Sequence, residues 1–479
     1  MNPTIAGLPE LYAHQKKVVE LAQTRNELAL FHGLGSGKTR SIIEILRSIF
    51  NKNKGFKRTL IFGPSAVIYN WKNEIQKFSN IPGERVYVCA SGSGRDVKLQ
   101  KAIDSGATIR TINYEATVSK KIMAILKKWN PQILVCDESQ KTKSPTAQRS
   151  KAVFELAERT EYRFILTGTP ILKNTMDAFM QFKILDLGKT FGKNFFVFRA
   201  EYFIDKNAAW AGKQNHFPLW IPRPDKEKIL LDKIAAKAHV VETKDCVDLP
   251  PYTNIVEKVS MSDEQKKAYE SMRDFFVAFV KENEKNPAIA TIAPVKALRM
   301  MQICAGHVTL DNEQTVTFSG TPKLERLEEL LEEIKDNHKF IIWTAFRFDN
   351  AEACRLLTKM GVKFVTITGS QTTQEKQQAV DEFQNDESVR GVVATLAAGG
   401  TGITLTKASY SFVLSRNFSL GDNLQARARN YRSGSQIHEK IINYDLVVED
   451  SIEEKVAQAI NNKEEIGKMV LEWAKNNKL

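Results

Sequence analysis

The chain has 479 residues, of which 42% are hydrophobic and 26% are charged, so it is long enough for two or three globular domains. It carries 69 lysines and arginines against 56 aspartates and glutamates, and the net charge of +13 favours a polyanionic partner such as nucleic acid over a purely solubilising role. The absence of an apolar run of membrane-spanning length, and of the apolar core of a signal peptide, excludes a transmembrane helix and predicts an intracellular, cytoplasmic protein. Five widely spaced cysteines without a C-x-x-C pair predict reduced thiols.

Ahead of the first strong motif, residues 8–22 predict a helix that carries Gln15. An amide placed just before a nucleotide site can pair with the edge of adenine, because it donates and accepts hydrogen bonds together. Taken alone, a glutamine is more often a solvated side chain, and this alternative stays open.

The strongest motif is a glycine-rich loop between a predicted strand at 28–31 and a predicted helix at 42–50. Its sequence, HGLGSGKT at 32–39, allows successive backbone N–H groups to turn towards phosphate oxygens at a helix N-terminus. We expect Lys38 to reach the β- and γ-phosphates of a nucleotide and Thr39 to place its hydroxyl on Mg²⁺. The usual G-x-x-x-x-G-K-[ST] spacing has glycine where this chain has His32, so a glycine-rich turn that binds nothing is the alternative.

A pair of carboxylates, Asp137 and Glu138, follows the apolar strand predicted at 133–136. Two carboxylates at the end of a buried strand are costly unless a cation or a reaction uses them. We expect Asp137 to anchor Mg²⁺ and Glu138 to orient and deprotonate the attacking water. A pair that only caps a helix N-terminus is the alternative.

The alternation of strands and helices predicts an α/β fold made of doubly wound parallel sheets. We expect a first lobe at 1–247, with a helical, aromatic insertion at about 188–237, and a second lobe at 248–479, with the boundary near the Pro250-Pro251 pair. The second lobe has a predicted helical insertion at about 261–318 and a C-terminal helix at about 450–479, but no second phosphate loop. A single cradle for two sheets predicts that the nucleotide lies in the cleft between them.

The second half offers a glycine-rich turn at 394–406, which allows close approach to a phosphate, and two arginines, Arg429 and Arg432. We predict both arginines on one face of a helix, because they are three residues apart. Two guanidiniums directed across a cleft would neutralise charge on a transferring γ-phosphoryl group. A solvated basic helix face is the alternative.

Taken together, these stretches resemble the superfamily-two helicases and translocases, and within them the Swi/Snf-like ATPases. The likeness runs from about residue 11 to about residue 455, with the motifs in the family's order. They read LYAHQ, GLGSGKT, LIFGPSAVIYNWKNEI, TINYEAT, DESQ, LTGTP, KDCVDLPPY, SDEQKKAYE, LRMMQIC, FIIWTAF, AAGGTGITLT and QARARNYRSG. Each is weak alone, and their order makes the likeness specific.

The resemblance implies two RecA-like lobes with ATP and Mg²⁺ as cofactors. It implies that Gln15 reads adenine and that Arg429 and Arg432 act as sensor and finger, so that the catalytic set is Lys38, Asp137, Glu138 and the two arginines. The implied nucleotide-binding residues are Gln15, Gly33, Leu34, Gly35, Ser36, Gly37, Lys38, Thr39 and Gly402. The residues implied to contact nucleic acid are Ser65, Trp71, Tyr114, Thr344 and Thr395.

The chain departs from the family's pattern at several motif positions. It has His32-Gly33 where the family has Asp-Glu, Gln140 where histidine ends motif II, and Val241-Glu242 where two arginines precede the KxD motif. Motif VI, which begins with QARARNYRSG, has Ala428, Tyr431 and Ser435 where aspartate, histidine and glutamine are usual, and motif V, AAGGTGITLT, leans towards strand-annealing and fork-remodelling motors. The resemblance therefore implies a divergent, compact member of phage or bacterial type, without a reader or targeting domain.

From these observations we expect a monomeric ATPase that moves along double-stranded or forked DNA. A strand-separating or strand-annealing helicase is the alternative within the class, although 407–424 has room for only one strand and a short loop where a separation hairpin would stand. A non-catalytic nucleic-acid binding module with a vestigial ATP site is the alternative from another class, motivated by His32-Gly33 and Gln140.

Overall fold

The computed structural model describes two compact units, one comprising Met1–Lys206 and Pro218–Asp248 and the other Asn207–Phe217 and Leu249–Leu479. The residues described are 8–33, 35–64, 67–89, 94–168, 175–208, 218, 220–241, 249–282, 289–309, 314–399 and 402–462, without the side chains of 279–296. Each unit is a parallel sheet with helices, as the sequence predicts, and each is considered by itself below.

The first unit is built on a seven-stranded sheet in the order β3-β4-β2-β5-β6-β1-β9, with all neighbours parallel. An antiparallel pair, β7 and β8, lies in the aromatic segment. The strands are β1 Glu27–His32, β2 Thr59–Gly63, β3 Val86–Cys89, β4 Ile109–Asn113, β5 Ile133–Asp137, β6 Tyr162–Thr167, β7 Phe203–Asp205, β8 Trp220–Pro222 and β9 Ala238–Val241. The helices are α1 Ala13–Thr24, α2 Lys38–Asn53, α3 Val67–Phe78, α4 Arg95–Asp104, α5 Lys120–Trp129, α6 Gln148–Ala157, α7 Ala178–Asp186, α8 Phe195–Tyr202 and α9 Pro224–Lys237.

Both faces of this sheet are buried, which explains why its strands are apolar almost throughout. Along β1, Ala29 and Phe31 enter the core on one face, whereas Leu28 and Leu30 enter the core on the other. Parallel strands also align their carboxyl ends at one edge of the sheet. The loops that follow β1, β2, β5 and β6 therefore share that edge, which is where ligands bind in folds of this kind.

The second unit contains a six-stranded parallel sheet in the order β10-β17-β16-β13-β15-β14 and an antiparallel pair, β11 and β12. Its strands are β10 Tyr252–Val259, β11 His307–Thr309, β12 Thr315–Thr317, β13 Phe340–Thr344, β14 Phe364–Ile367, β15 Gly391–Thr395, β16 Tyr410–Val413 and β17 Ile441–Val448. Its helices are α10 Asp263–Glu282, α11 Ile289–Cys304, α12 Pro322–Glu332, α13 Arg347–Lys359, α14 Thr373–Asn385, α15 Leu396–Gly399, α16 Leu420–Arg427 and α17 Ile452–Asn461.

Three predictions about elements need correction or fall partly outside the described residues. The helix predicted to carry Arg429 and Arg432 ends at Arg427, so both arginines lie in the irregular segment beyond it. Six strands, β7 to β12, were not predicted. The strands β7, β8, β11 and β12 form two short antiparallel pairs, and β9 and β10 are half-exposed edge strands with weak apolar patterns. The C-terminal helix predicted at about 450–479 is observed at Ile452–Asn461, and residues 463–479 lie outside the described part of the chain.

Two further observations bear on the predicted chemistry. Cys89, Cys136, Cys304 and Cys354 are free thiols, as predicted, and Cys246 lies outside the described residues. In the part of the chain that the structure describes, no helix has both the length and the apolar character needed to cross a membrane.

Candidate nucleotide site

The phosphate loop connects β1 to α2 and takes its shape from two glycines in the left-handed region. Gly35 has φ of 78° and Gly37 has φ of 77°, values that side chains with a Cβ atom rarely adopt. Gly37 also caps α2, so the free N–H groups of the first helical turn lie next to the loop. Leu34 lies outside the described residues. This arrangement has the strand, glycine turn and helix N-terminus that the sequence motif predicts, and helix N-termini of this kind are suited to binding anions.

Residues of α1 support the loop from one side. Gln15 is buried, and its amide nitrogen donates a hydrogen bond to the Gly37 carbonyl at 3.3 Å. His14 is also buried, and its Nε2 donates to the Ser36 carbonyl at 2.9 Å. A Cβ atom on Gly37 would approach the amide nitrogen of Gln15 to 2.5 Å, so a side chain at this position would displace the Gln15 amide from its hydrogen bond to the loop. The structure therefore gives Gln15 a role in shaping the loop, besides the adenine contact that the resemblance implies.

Lys38 lies at the start of α2 and points back to the loop. Its Nζ donates hydrogen bonds to the carbonyls of His32, at 2.9 Å, and Gly33, at 3.2 Å. Its ammonium group is also close enough to Asp137 to lower the pKa of that carboxyl against the stronger effect of burial. The lysine is thus placed between the loop and the acidic end of β5, where a nucleotide phosphate would need it.

Asp137 ends β5 and is held by three hydrogen bonds. The Trp71 indole donates to Oδ2 at 2.9 Å, the Glu138 N–H donates to Oδ1 at 2.9 Å, and the Tyr114 hydroxyl donates to the Asp137 carbonyl at 2.8 Å. Burial, together with the neighbouring Glu138 charge, raises the pKa of Asp137 to about 7. A carboxylate that is expensive to ionise when buried is stabilised by a bound cation.

Glu138 adopts a left-handed backbone conformation, with φ of 52°, which is uncommon outside glycine and asparagine. Its carboxylate accepts a hydrogen bond from the Gln140 amide at 2.6 Å. Gln140, the residue that departs from the motif, therefore orients Glu138 directly. Strained backbone at the end of a central strand is a frequent feature of reactive sites.

The donor set fits Mg²⁺. Thr39 offers a hydroxyl and Asp137 a carboxylate, and Mg²⁺ prefers oxygen ligands. Among the described residues no group of three or more histidine, cysteine, aspartate or glutamate side chains is arranged to hold a metal ion. In nucleotide sites Mg²⁺ is bound through one or two carboxylates together with substrate phosphates and water.

In the second unit, both arginines converge on the turn that follows β15, although they do not lie on a helix. Arg429 is 7% exposed, and its Nε donates to the Gly399 carbonyl. Arg432 is partly buried, and its Nη1 donates to the Ile403 carbonyl at 3.3 Å. Gly402, in the same turn, has φ of 76°. Backbone carbonyls of motif V therefore hold the guanidinium groups of both motif VI arginines in position.

The residues implied to contact nucleic acid have different environments. Trp71 and Tyr114 are buried around Asp137, and Thr344 is buried with its hydroxyl donating to the Ala394 carbonyl at 3.3 Å. Their observed contacts are internal ones, and those of Trp71 and Tyr114 fix the position of Asp137. Thr395 is half-buried, and Ser65 lies outside the described residues.

Sequence reasoning missed the role of the histidines behind the loop. The His32 Nε2 lies 2.9 Å from the His239 Nδ1, and the His32 ring packs edge-on against His14, with ring centroids 5.4 Å apart. The only signal was the presence of His32 where the motif has another residue, because His239 is more than two hundred residues away and β9 was not predicted.

Comparison with known proteins agrees with this geometry. The SNF2-related domain matches residues 14–307, and the helicase conserved C-terminal domain matches residues 322–434. The chain belongs to the SNF2-related family. The predicted likeness to the Swi/Snf-like branch of superfamily-two helicases is thereby confirmed, as are the fold class and the helicase, hydrolase and ATP-binding descriptions that accompany it.

Two curated relatives of this SNF2-related chain illustrate the range of the family. It is 24% identical over 95% of its length to the mouse chromodomain-helicase-DNA-binding protein 1-like, and 24% identical over 89% of its length to the human DNA annealing helicase and endonuclease ZRANB3. The chain spans 49% of the first relative and 37% of the second.

Among solved structures, the Sulfolobus solfataricus SWI2/SNF2 ATPase core in complex with dsDNA resembles the chain. The sequences are 22% identical, the match covers 98% of this chain and 95% of that one, and the TM-score is 0.44.

Proposed function

We propose that this SNF2-related protein is a motor that hydrolyses ATP to move along double-stranded DNA. The observation that carries the proposal is the arrangement at one edge of the first sheet. The phosphate loop after β1 and the Asp137-Glu138 pair after β5 share that edge, and Lys38 is close enough to Asp137 for their charges to interact. A vestigial site would not need a lysine, a hydroxyl and two carboxylates in this combination.

The residues of the first unit divide the work of hydrolysis. The N–H groups at the start of α2 and the Lys38 ammonium bind the phosphates, which requires Lys38 to exchange its carbonyl partners for phosphate oxygens. Glu138, oriented by Gln140, accepts a proton from the attacking water. When bound by Thr39 and Asp137, Mg²⁺ would supply positive charge that neutralises the phosphates.

We propose that the second unit contributes the positive charge of an arginine to the nucleotide site. Arg432 is the more accessible of the two motif VI arginines, so we assign it the role of finger on the γ-phosphoryl group. Arg429 is buried and bonded to the Gly399 and Ile403 carbonyls, so we assign it the role of holding the segment that presents Arg432.

Three observations support DNA as the polymer along which the protein moves. The net charge of +13 favours a polyanion, the relatives are named as DNA-binding and DNA-annealing proteins, and only one strand, β16, stands in the segment where a strand-separation hairpin would be inserted. Duplex translocation is therefore preferred to strand separation. Ser65 and Thr395 are the candidate contacts to the DNA backbone.

Steady-state phosphate release, measured at low salt with and without duplex DNA, tests this function. We expect duplex DNA to stimulate release by the wild type, and we expect Lys38→Ala and Glu138→Gln to lower the DNA-stimulated rate at least a hundredfold. Lys52→Ala on the exposed end of α2 and Glu158→Gln beyond α6 serve as matched controls that should behave as the wild type. Absence of DNA stimulation, or full activity of both site variants, would overturn the proposal.

A further inference from the structure

A hydrogen bond between two histidines connects the end of β1 to β9. His32 is fully buried at the carboxyl end of β1, and its Nε2 lies 2.9 Å from the Nδ1 of the half-buried His239. The two rings meet edge to face, with centroids 5.0 Å apart. The pair lies directly below the phosphate loop, since the backbone carbonyl of His32 accepts a hydrogen bond from Lys38.

The hydrogen bond between His32 and His239 limits the protonation states that the two rings can have. Only one proton can lie between two ring nitrogens, so one ring must donate and the other must accept. The contact is lost if both rings are protonated, because two N–H groups would then face each other. The charged and titratable groups that act on the pair are Lys38 of α2 and Lys17 and His14 of α1, which are all cationic when charged. Burial and these cations lower the pKa values of His32 and His239, so both rings are neutral at pH 7.

β9 has a special position in the chain. It is the last described strand of the first unit, and the second unit resumes eight residues after Val241, at Leu249. β9 is also bound to the phosphate loop at a second point, since the Gly33 N–H donates to the Val241 carbonyl at 2.8 Å. Both carbonyls that accept from Lys38, those of His32 and Gly33, therefore belong to residues that are bonded to β9.

We propose that the His32–His239 pair couples occupancy of the phosphate loop to β9, and thereby to the segment that leads into the second unit. A phosphate bound by Lys38 competes with the His32 and Gly33 carbonyls for the N–H groups of the ammonium, so nucleotide binding weakens these two hydrogen bonds at the end of β1. A change in the position of His32 then reaches β9 through the hydrogen bond between His32 and His239. His239 is a positioning residue in this account and does not touch the nucleotide. The inference depends on the proposed ATP- and DNA-dependent function.

The test compares the wild type with three variants by the ratio of the rate of phosphate release with duplex DNA to the rate without it. His239→Leu removes the hydrogen bond, whereas His239→Asn keeps an amide atom near the position of Nδ1. We expect His239→Leu to lower the stimulation ratio about threefold to tenfold, as for the loss of one hydrogen bond, while DNA-independent hydrolysis and ATP affinity stay within about twofold. His239→Asn should retain the ratio. His338→Leu in the second unit, which also loses a histidine hydrogen bond, is the matched control.

The pH profile tests the neutral state of the pair, while rescue by His239→Asn separates positioning from a merely structural role. Burial lowers the pKa values of both rings, so the bond should persist between pH 7.5 and pH 5.5, and the wild-type ratio should stay constant relative to that of His239→Asn. An unchanged ratio in His239→Leu, or an equal loss of basal and stimulated hydrolysis, overturns the inference alone. A wild type without DNA stimulation overturns the proposed function and the inference together.

Discussion

At the scale of single residues, Gln140 decides how well Glu138 is oriented. Its amide donates to the Glu138 carboxylate at 2.6 Å, and hydrogen bonds to charged groups contribute about 1.5–3 kcal/mol. We expect Gln140→Ala to lower kcat for ATP hydrolysis by roughly tenfold to a hundredfold, with little change in ATP affinity. Gln148→Ala, an exposed glutamine at the start of α6, is the control. If single-turnover hydrolysis by Gln140→Ala matched the wild type, Gln140 would have no part in orienting the base.

The residues of the site differ in how far a sequence alone could assign them. Lys38, Thr39, Asp137 and Glu138 were assigned from local patterns, because their chemistry depends on neighbours a few residues away. The hydrogen bonds that Trp71 and Tyr114 make to Asp137 depend on α3 and the segment after β4 packing against β5, which local patterns do not specify. The same is true of the histidine pair, whose members meet only through the pairing of β1 with β9.

At the scale of elements, the phosphate loop depends on Gly37 more than on a glycine with similar backbone geometry elsewhere. A Cβ at Gly37 would meet the Gln15 amide at 2.5 Å, whereas a Cβ at Gly106, with φ of 83°, would meet nothing within 4 Å. We therefore expect Gly37→Ala and Gly106→Ala both to lose about 1 kcal/mol of stability through backbone strain. Only Gly37→Ala should weaken ATP binding, by tenfold or more. Equal ATP affinities of the two variants, measured by nucleotide titration, would contradict this account.

The histidines behind the loop make the stability of the fold depend on pH. Burial, aided by the nearby cations, lowers the pKa of His32 to about 3, so the folded protein binds fewer protons at this site than the unfolded chain. The stabilising contribution of neutral His32 is complete above the ordinary histidine pKa of about 6.5 and is lost as the pH falls from there towards 3. Between pH 7.5 and pH 5.5, the wild type should lose about 1 kcal/mol more unfolding free energy than His32→Asn. Urea unfolding at both pH values measures this, and equal losses would show that His32 is not buried in its neutral form.

Elements were predicted best where the apolar pattern was strong. The strands predicted at 28–31 and 133–136 were recognised because both faces of their sheet are buried, whereas the edge strands β9 and β10 were missed because their side chains are half exposed. The interruption of the helix before Arg429 was also missed. Spacing alone placed Arg429 and Arg432 on one helical face, but their guanidiniums instead bond to carbonyls in the turn after β15, a contact that only tertiary structure reveals.

At the scale of the whole molecule, the net charge of +13 predicts how binding to DNA responds to salt. Contacts to phosphates release counterions, so the logarithm of the binding constant should fall linearly with the logarithm of salt concentration, by about 0.9 for each phosphate contacted in duplex DNA. We expect a steep slope that is the same for unrelated duplex sequences, because the proposed contacts are to the backbone. Fluorescence anisotropy over a salt series gives the slope. A shallow slope, or one that depends on sequence, would contradict backbone tracking.

The central claim is that ATP hydrolysis drives movement along intact duplex DNA, and displacement of a triplex-forming strand tests it most directly. We predict that the wild type displaces the third strand only with ATP and Mg²⁺, that Glu138→Gln fails to do so, and that Glu158→Gln succeeds. Unwinding of a fork by the wild type without any triplex displacement would contradict translocation along duplex DNA.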